Sequence, residues 1–118
     1  MNNISIRDFY DLIGGNYFDV EDRMKSGDII KYFVIKFKND VNFSKLTMAI
    51  EEKNSREAFI AAHTLKGVCL NLGFNNLYIS VNEITERLRT GNMDNIDLYY
   101  GKVKEEYERT IAFIKLLN

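Results

Sequence analysis

Apolar side chains recur every three or four residues along nearly the whole chain, the spacing that gathers them on one face of an α-helix. Ser5 predicts the cap of a short helix running to about Ile13, with Phe9 and Leu12 on one side. Asn16 opens a second short segment carrying Phe18 and Met24. A third begins after Gly27 and carries Ile30, Phe33, Val34, Phe37 and Val41, then Leu46 and Ile50; the pattern does not decide whether it breaks near Asn42. Ser55 predicts the N-cap of a helix that ends at Gly73. Beyond it, Leu77, Val81, Ile84 and Leu88 form a stripe that Gly91 closes. The last segment starts near Asp94 or Asp97 and carries Val103, Tyr107, Ile111, Ile114 and Leu117. Strand-like alternation is missing apart from a weak ambiguity between Tyr32 and Phe37. No proline interrupts any segment, and Gly14-Gly15, Gly27, Gly73 and Gly91 supply the punctuation. The expectation is an all-α chain, an antiparallel four-helix bundle preceded by one or two short N-terminal helices.

Composition narrows the class. A chain of 118 residues, 46% apolar and 28% charged, fits one globular domain spanning residues 1–118. A net charge of −1 and a pI near 5.8 suggest no bulk affinity for nucleic acid, while leaving room for a local basic patch. The N-terminus lacks a signal-peptide pattern, and no apolar run approaches the roughly 18 residues a membrane helix needs. One cysteine, Cys69, leaves no intrachain disulfide framework. A cytoplasmic protein with no membrane or nucleic-acid partner is expected.

The chemistry concentrates on one helix. His63 is the sole histidine and lies near the middle of the segment from Ser55 to Leu72. At about 100° per residue, Ala58, Ala61, Leu65, Val68, Cys69 and Leu72 form its core stripe. His63 points roughly the other way, with Arg56, Phe59, Ile60, Lys66, Gly67 and Leu70. A neutral imidazole is a competent nucleophile near neutral pH. Lys66, at i+3, can offset negative charge arriving on the ring, and Gly67, at i+4, removes a side chain that would crowd it. A mid-helix glycine costs about 0.5–1 kcal/mol relative to alanine, which suggests that the space is used. Phe59, Ile60 and Leu70 would surround the histidine with apolar docking surface. Taken singly, each feature has a plain explanation: a lone histidine is usually an ordinary surface or core residue, Lys66 a solvated charge, Gly67 a helix contact, and the apolar trio a core covered by the N-terminal helices. Their convergence on one face favours function.

The run Ala62-His63-Thr64-Leu65-Lys66-Gly67, followed by Leu72-Gly73, resembles the signature of histidine-containing phosphotransfer domains, small helical bundles that carry a phosphoryl group on histidine. Every position of that pattern is matched, and the helical layout is similar over nearly the whole chain. The resemblance implies that His63 accepts the phosphoryl group, Lys66 supports it electrostatically and Gly67 leaves clearance for a partner. Leu65 and Leu72 would be core positions and Gly73 the helix stop. Val68 and Cys69 are bulkier than the small residues that often follow the Lys-Gly pair, but both fall on the core side.

On this reading the chain is a phosphocarrier without kinase activity. It would exchange phosphoryl groups reversibly with an aspartyl phosphate on a response-regulator receiver domain, a hybrid sensor histidine kinase, or both. The chain needs no cofactor of its own, and Mg²⁺ would sit on the receiver. Arg56, Phe59, Ile60, Leu70 and Asn71 would form the partner surface, and a monomer keeps His63 accessible. The alternatives are a helical module that binds a receiver or kinase without accepting phosphate, and a structural or DNA-associated bundle with an accidental match; the acidic pI speaks against DNA.

Overall fold

Side chains that accept from backbone N–H groups three residues on set where most helices begin. Ser5 Oγ accepts from Asp8 N at 3.0 Å, Asn16 Oδ1 from Asp19 N at 3.1 Å and Asn54 Oδ1 from Glu57 N at 3.0 Å. In the computed structural model, which describes residues 3–117, these caps open α1 (Ile6–Ile13), α2 (Tyr17–Met24) and α5 (Ser55–Leu72). Ser26 caps α3 (Gly27–Lys36) in the same way, with α4 (Asn42–Glu51), α6 (Asn75–Arg89) and α7 (Ile96–Ile114) completing the set. The chain is therefore all-helical, and the one β contact among the described residues is an isolated bridge between Ile4 and Leu117.

Three expectations change. The cap of α5 is Asn54, not Ser55: Asn54 holds the extended backbone of a cap, and Ser55 is the first helical residue. The segment after Gly27 is two helices. Past Lys36 it tightens into a 3₁₀ turn over Phe37–Asn39, and Asp40 then becomes extended, its carboxylate accepting from Asn42 N and Asn42 Nδ2 at 2.9 Å. That local bonding offers the backbone an alternative to continuing the helix. Three short helices thus precede α4, and the Tyr32–Phe37 ambiguity resolves as helix. Leu12 is exposed, because α1 buries Phe9, Tyr10 and Ile13 instead.

Helices adjacent in sequence pack on one another: α4 on α5, α5 on α6 and α6 on α7. Aromatic contacts also link α4 to α7. Phe43 stacks on Tyr107 with ring centroids 4.1 Å apart, and Thr47 Oγ1 lies 2.7 Å from Tyr100 OH. α1 lies on α7, and Ile4 N donates to Leu116 O at 2.8 Å.

The turn between α5 and α6 is tied to both α1 and α2. Gly73 adopts φ +67°, and a Cβ there would collide with Val20 Cγ2 and crowd Asn16 O, so this glycine both ends α5 and admits α2. Phe74 follows, fully buried, with its ring against Phe9, Tyr10 and Phe37. Tyr10 OH donates to Leu72 O at 2.6 Å, and the Arg23 guanidinium donates to Leu70 O and Asn71 O. The Asn71 and Leu72 carbonyls at the end of α5 are thereby satisfied from α2 and α1, and Arg23 adds a second donor to Leu70 O, which also accepts from Gly73 N at 3.3 Å. These bonds tie the C-terminal end of α5 to α1 and α2.

Candidate functional site

α5 carries two faces, as its spacing requires. Ala58, Ala61, Ala62, Leu65, Cys69 and Leu72 are buried, while Arg56, Ile60, His63, Thr64, Gly67, Leu70 and Asn71 are exposed. Ile60 is 46% and Leu70 61% exposed, so neither belongs to the core. Val68 is half-buried rather than fully inside. Cys69 is sealed, and burial, helped by the charge of Asp40, pushes its thiol pKa up, so it stays a packing residue.

His63 stands at the end of a short chain of contacts that reaches α6. Its imidazole stacks on Phe59, with centroids 5.6 Å apart and planes 17° from parallel. The Arg89 guanidinium covers the Phe59 ring at 5.2 Å. Phe59 is half-buried as a result, and it supports the imidazole more than it offers free docking surface. Arg89 grips Glu86 with two bonds, Nε to Oε1 at 3.1 Å and Nη2 to Oε2 at 2.9 Å. Lys66 lies at the other end of this chain of contacts, its Nζ 3.9 Å from Glu86 Oε2. Its side chain is only 20% exposed, lying along the helix with the ammonium turned toward α6. The Arg89 hydrogen bonds, followed by the charges of Arg89, Lys66 and His63, hold the Glu86 carboxyl below the usual carboxylate range.

Gly67 is the counterpart of this crowded side. A Cβ built there meets no atom within 4 Å. The chain's own packing therefore does not require a glycine at 67, unlike at 73. An open stretch of helix backbone lies one turn from the imidazole, with Ile60 and Leu70 exposed on the same helix.

Asn71 is not brought to His63. It lies two turns further along α5, about 12 Å at the helical rise. There it lines a separate cavity of about 490 Å³ with Met24, Phe33, Phe37, Val68 and Leu72. Arg56, about two turns and roughly 10 Å before His63, is exposed and stands at the margin of the face.

Glu86 and Arg89 are the site residues that sequence reasoning missed. A signal for them existed: α5 and α6 form a hairpin about Gly73-Phe74, and Glu86 and Arg89 stand about as far past that turn as His63 and Phe59 stand before it. Among the described residues no three His, Cys, Asp or Glu side chains converge to hold a metal ion, and no helix is long and apolar enough to cross a membrane. The arrangement offers an accessible imidazole, two nearby cations and one carboxylate, which suits the handling of a small anionic group. Comparison with protein-family models, curated proteins and solved structures found no match to this chain.

Proposed function

We propose that this chain is a histidine phosphotransfer module in which His63 reversibly accepts a phosphoryl group from an aspartyl phosphate on a receiver domain. In this reading α4 to α7 form an antiparallel four-helix bundle, and α1 to α3 lead into it. The observation that carries the proposal is the run Ala62-His63-Thr64-Leu65-Lys66-Gly67, with its histidine exposed at mid-helix and unfilled space above its glycine. A phosphoryl-transfer centre depends mainly on positioning and charge stabilisation, and this face supplies both. Stacking on Phe59 fixes the ring plane. Lys66 lies close enough along the helix to turn toward a phosphoryl group. Open backbone at Gly67 lets the partner's active-site loops approach.

In the transfer, the lone pair of one imidazole nitrogen forms the N–P bond as the P–O bond to the donor carboxylate breaks. The bonding electrons leave on that carboxylate, and the second ring nitrogen keeps its hydrogen. Mg²⁺ belongs to the receiver in this scheme. Ile60 and Leu70 provide apolar contact, and Arg56 lies toward the rim. The partner is a response-regulator receiver domain, alone or within a hybrid sensor histidine kinase, and the module acts as a cytoplasmic monomer.

The test is transfer of radiolabel from phosphorylated receiver domains of the same genome. Label that is acid-labile, alkali-stable and absent from a folded His63→Gln variant supports the proposal. Receivers that bind without transferring label indicate a non-phosphorylated interaction module instead. Leu70→Asp is expected to leave the circular dichroism spectrum and melting unchanged and to weaken receiver binding at least tenfold, the scale of losing an apolar anchor of a small interface. An unfolded Leu70→Asp chain contradicts the docking face.

A further inference from the structure

Glu86 is poorly placed for a site that must welcome negative charge. It is the carboxylate in the chain of contacts that leads from His63 through Phe59 and Arg89, it feels the charge of His63, and it engages both nearby cations. The two engagements are unequal. Arg89 holds Glu86 with two hydrogen bonds of ordinary length, whereas Lys66 Nζ stands 3.9 Å away, beyond hydrogen-bond range. Arg89 is also pinned over Phe59, which packs on His63. Of the two cations, Lys66 is thus the one free to change partners.

A phosphoryl group on the imidazole carries close to two negative charges at neutral pH, and those charges would share the face with the Glu86 carboxylate. Lys66 can leave Glu86 to meet them, but Glu86 competes for it and repels them directly. Arg89, occupied by Glu86, is withheld. Both effects raise the free energy of the phosphorylated form and neither requires a change in fold.

We propose that Glu86 is a positioning residue that keeps phosphohistidine at His63 labile, by holding Lys66 and Arg89 back from the phosphoryl group and opposing its charge. The inference rests on the phosphocarrier reading above. It assigns Glu86 the role of setting how readily His63 gives its phosphoryl group up again. A carrier that passes the group on needs this property, since a phosphohistidine stabilised by two free cations would retain it.

Phosphoramidate, a small histidine phosphodonor, tests this without any partner protein. Its P–N bond breaks as the N–P bond to His63 forms, and ammonia leaves. With ammonium added at a fixed ratio to phosphoramidate the exchange runs in both directions, so the ratio of phosphorylated to unmodified chain reports relative stability of the two forms. ³¹P NMR reads that ratio, and the single histidine makes the signal unambiguous. Glu86→Gln is expected to raise the ratio about threefold, a modest effect because the charges face solvent. Glu86→Asp, which retains the charge, should return it most of the way to the parent value. Adding Lys66→Ala to Glu86→Gln should remove at least half of the gain, since the effect runs partly through Lys66. A ratio that is unchanged or lower in Glu86→Gln, while His63 still takes up phosphoryl, overturns the inference and leaves the phosphocarrier reading standing. An equal gain in Glu86→Asp, or a gain untouched by Lys66→Ala, overturns it as well. No phosphoryl on His63 of the unaltered, folded chain overturns both.

Discussion

Gly67 stands in open space on the outside of α5, where the chain's own packing asks nothing of it. Alanine there should fit without displacing an atom and raise helix propensity. Gly67→Ala is therefore expected to stabilise the fold by about 0.5–1 kcal/mol in thermal or denaturant melts, while slowing transfer from a phosphorylated receiver. Stability and transfer moving in opposite directions is the signature of a position kept clear for something outside the molecule. At this scale the outer face of α5 was legible in advance, because 100° per residue places His63, Gly67, Ile60 and Leu70 together whatever packs behind them. Lys66 was legible as a cation beside His63, but not as one already leaning on Glu86. That pairing crosses from one helix to the next, and spacing within α5 contains no information about it. Asn71, expected on the partner surface, instead lines the separate cavity with Met24 and Phe33, about 12 Å along the helix from His63.

The helices differ in how their boundaries are written. α1 and α2 were legible because Ser5 and Asn16 are strong caps with no competitor beside them. At α5 two cap-forming residues adjoin, and pattern alone does not choose between Asn54 and Ser55. Asn54 does the capping, so Asn54→Ala should cost about 1 kcal/mol, lowering the urea midpoint without changing the slope. Ser55→Ala should cost much less. The break between α3 and α4 was legible only as a question. Apolar spacing runs on through Phe37 and Val41 to Leu46, and the interruption comes from one carboxylate, Asp40, folding back onto Asn42. Hydrophobic periodicity records which face is buried and is insensitive to a polar side chain that bends the backbone between two buried positions.

Across the whole molecule, α1 and α2 serve as braces for the end of α5. Tyr10 joins the aromatic cluster around Phe74 and donates to Leu72 O, so Tyr10→Phe should destabilise the chain by about 1–3 kcal/mol by leaving a buried carbonyl unpaired. Burial pushes the Tyr10 phenol and the Cys69 thiol above their ordinary pKa values of 10.0 and 9.0. Both groups therefore keep their protons in the folded chain at pH values where the unfolded chain loses them. Their contribution to stability is fully present below those ordinary values and declines as pH rises past them. Denaturant midpoints measured from pH 7 to 11 should fall from about pH 9 upward. The burial of Cys69 was legible from its place on the α5 core stripe, whereas that of Tyr10 depends on α1 folding back across the α5–α6 turn.

The hydrogen bond from Ile4 to Leu116 has a different kind of consequence. Most packing here joins helices that follow one another, so the chain can assemble by closing short loops, which is the fast route to a folded state. Bringing Ile4 onto Leu116 closes nearly the whole length of the chain and gains little in return: that hydrogen bond, the packing of α1 on α7 and the bond from Arg109 to Leu12 O. That seam should form last and open first. The α5–α6 hairpin, assembled from near neighbours, would retain its amide protons against exchange long after those at the seam have been replaced. Opening of this seam would then leave the imidazole and its surroundings intact, and the proposed site would outlast the closure of the chain.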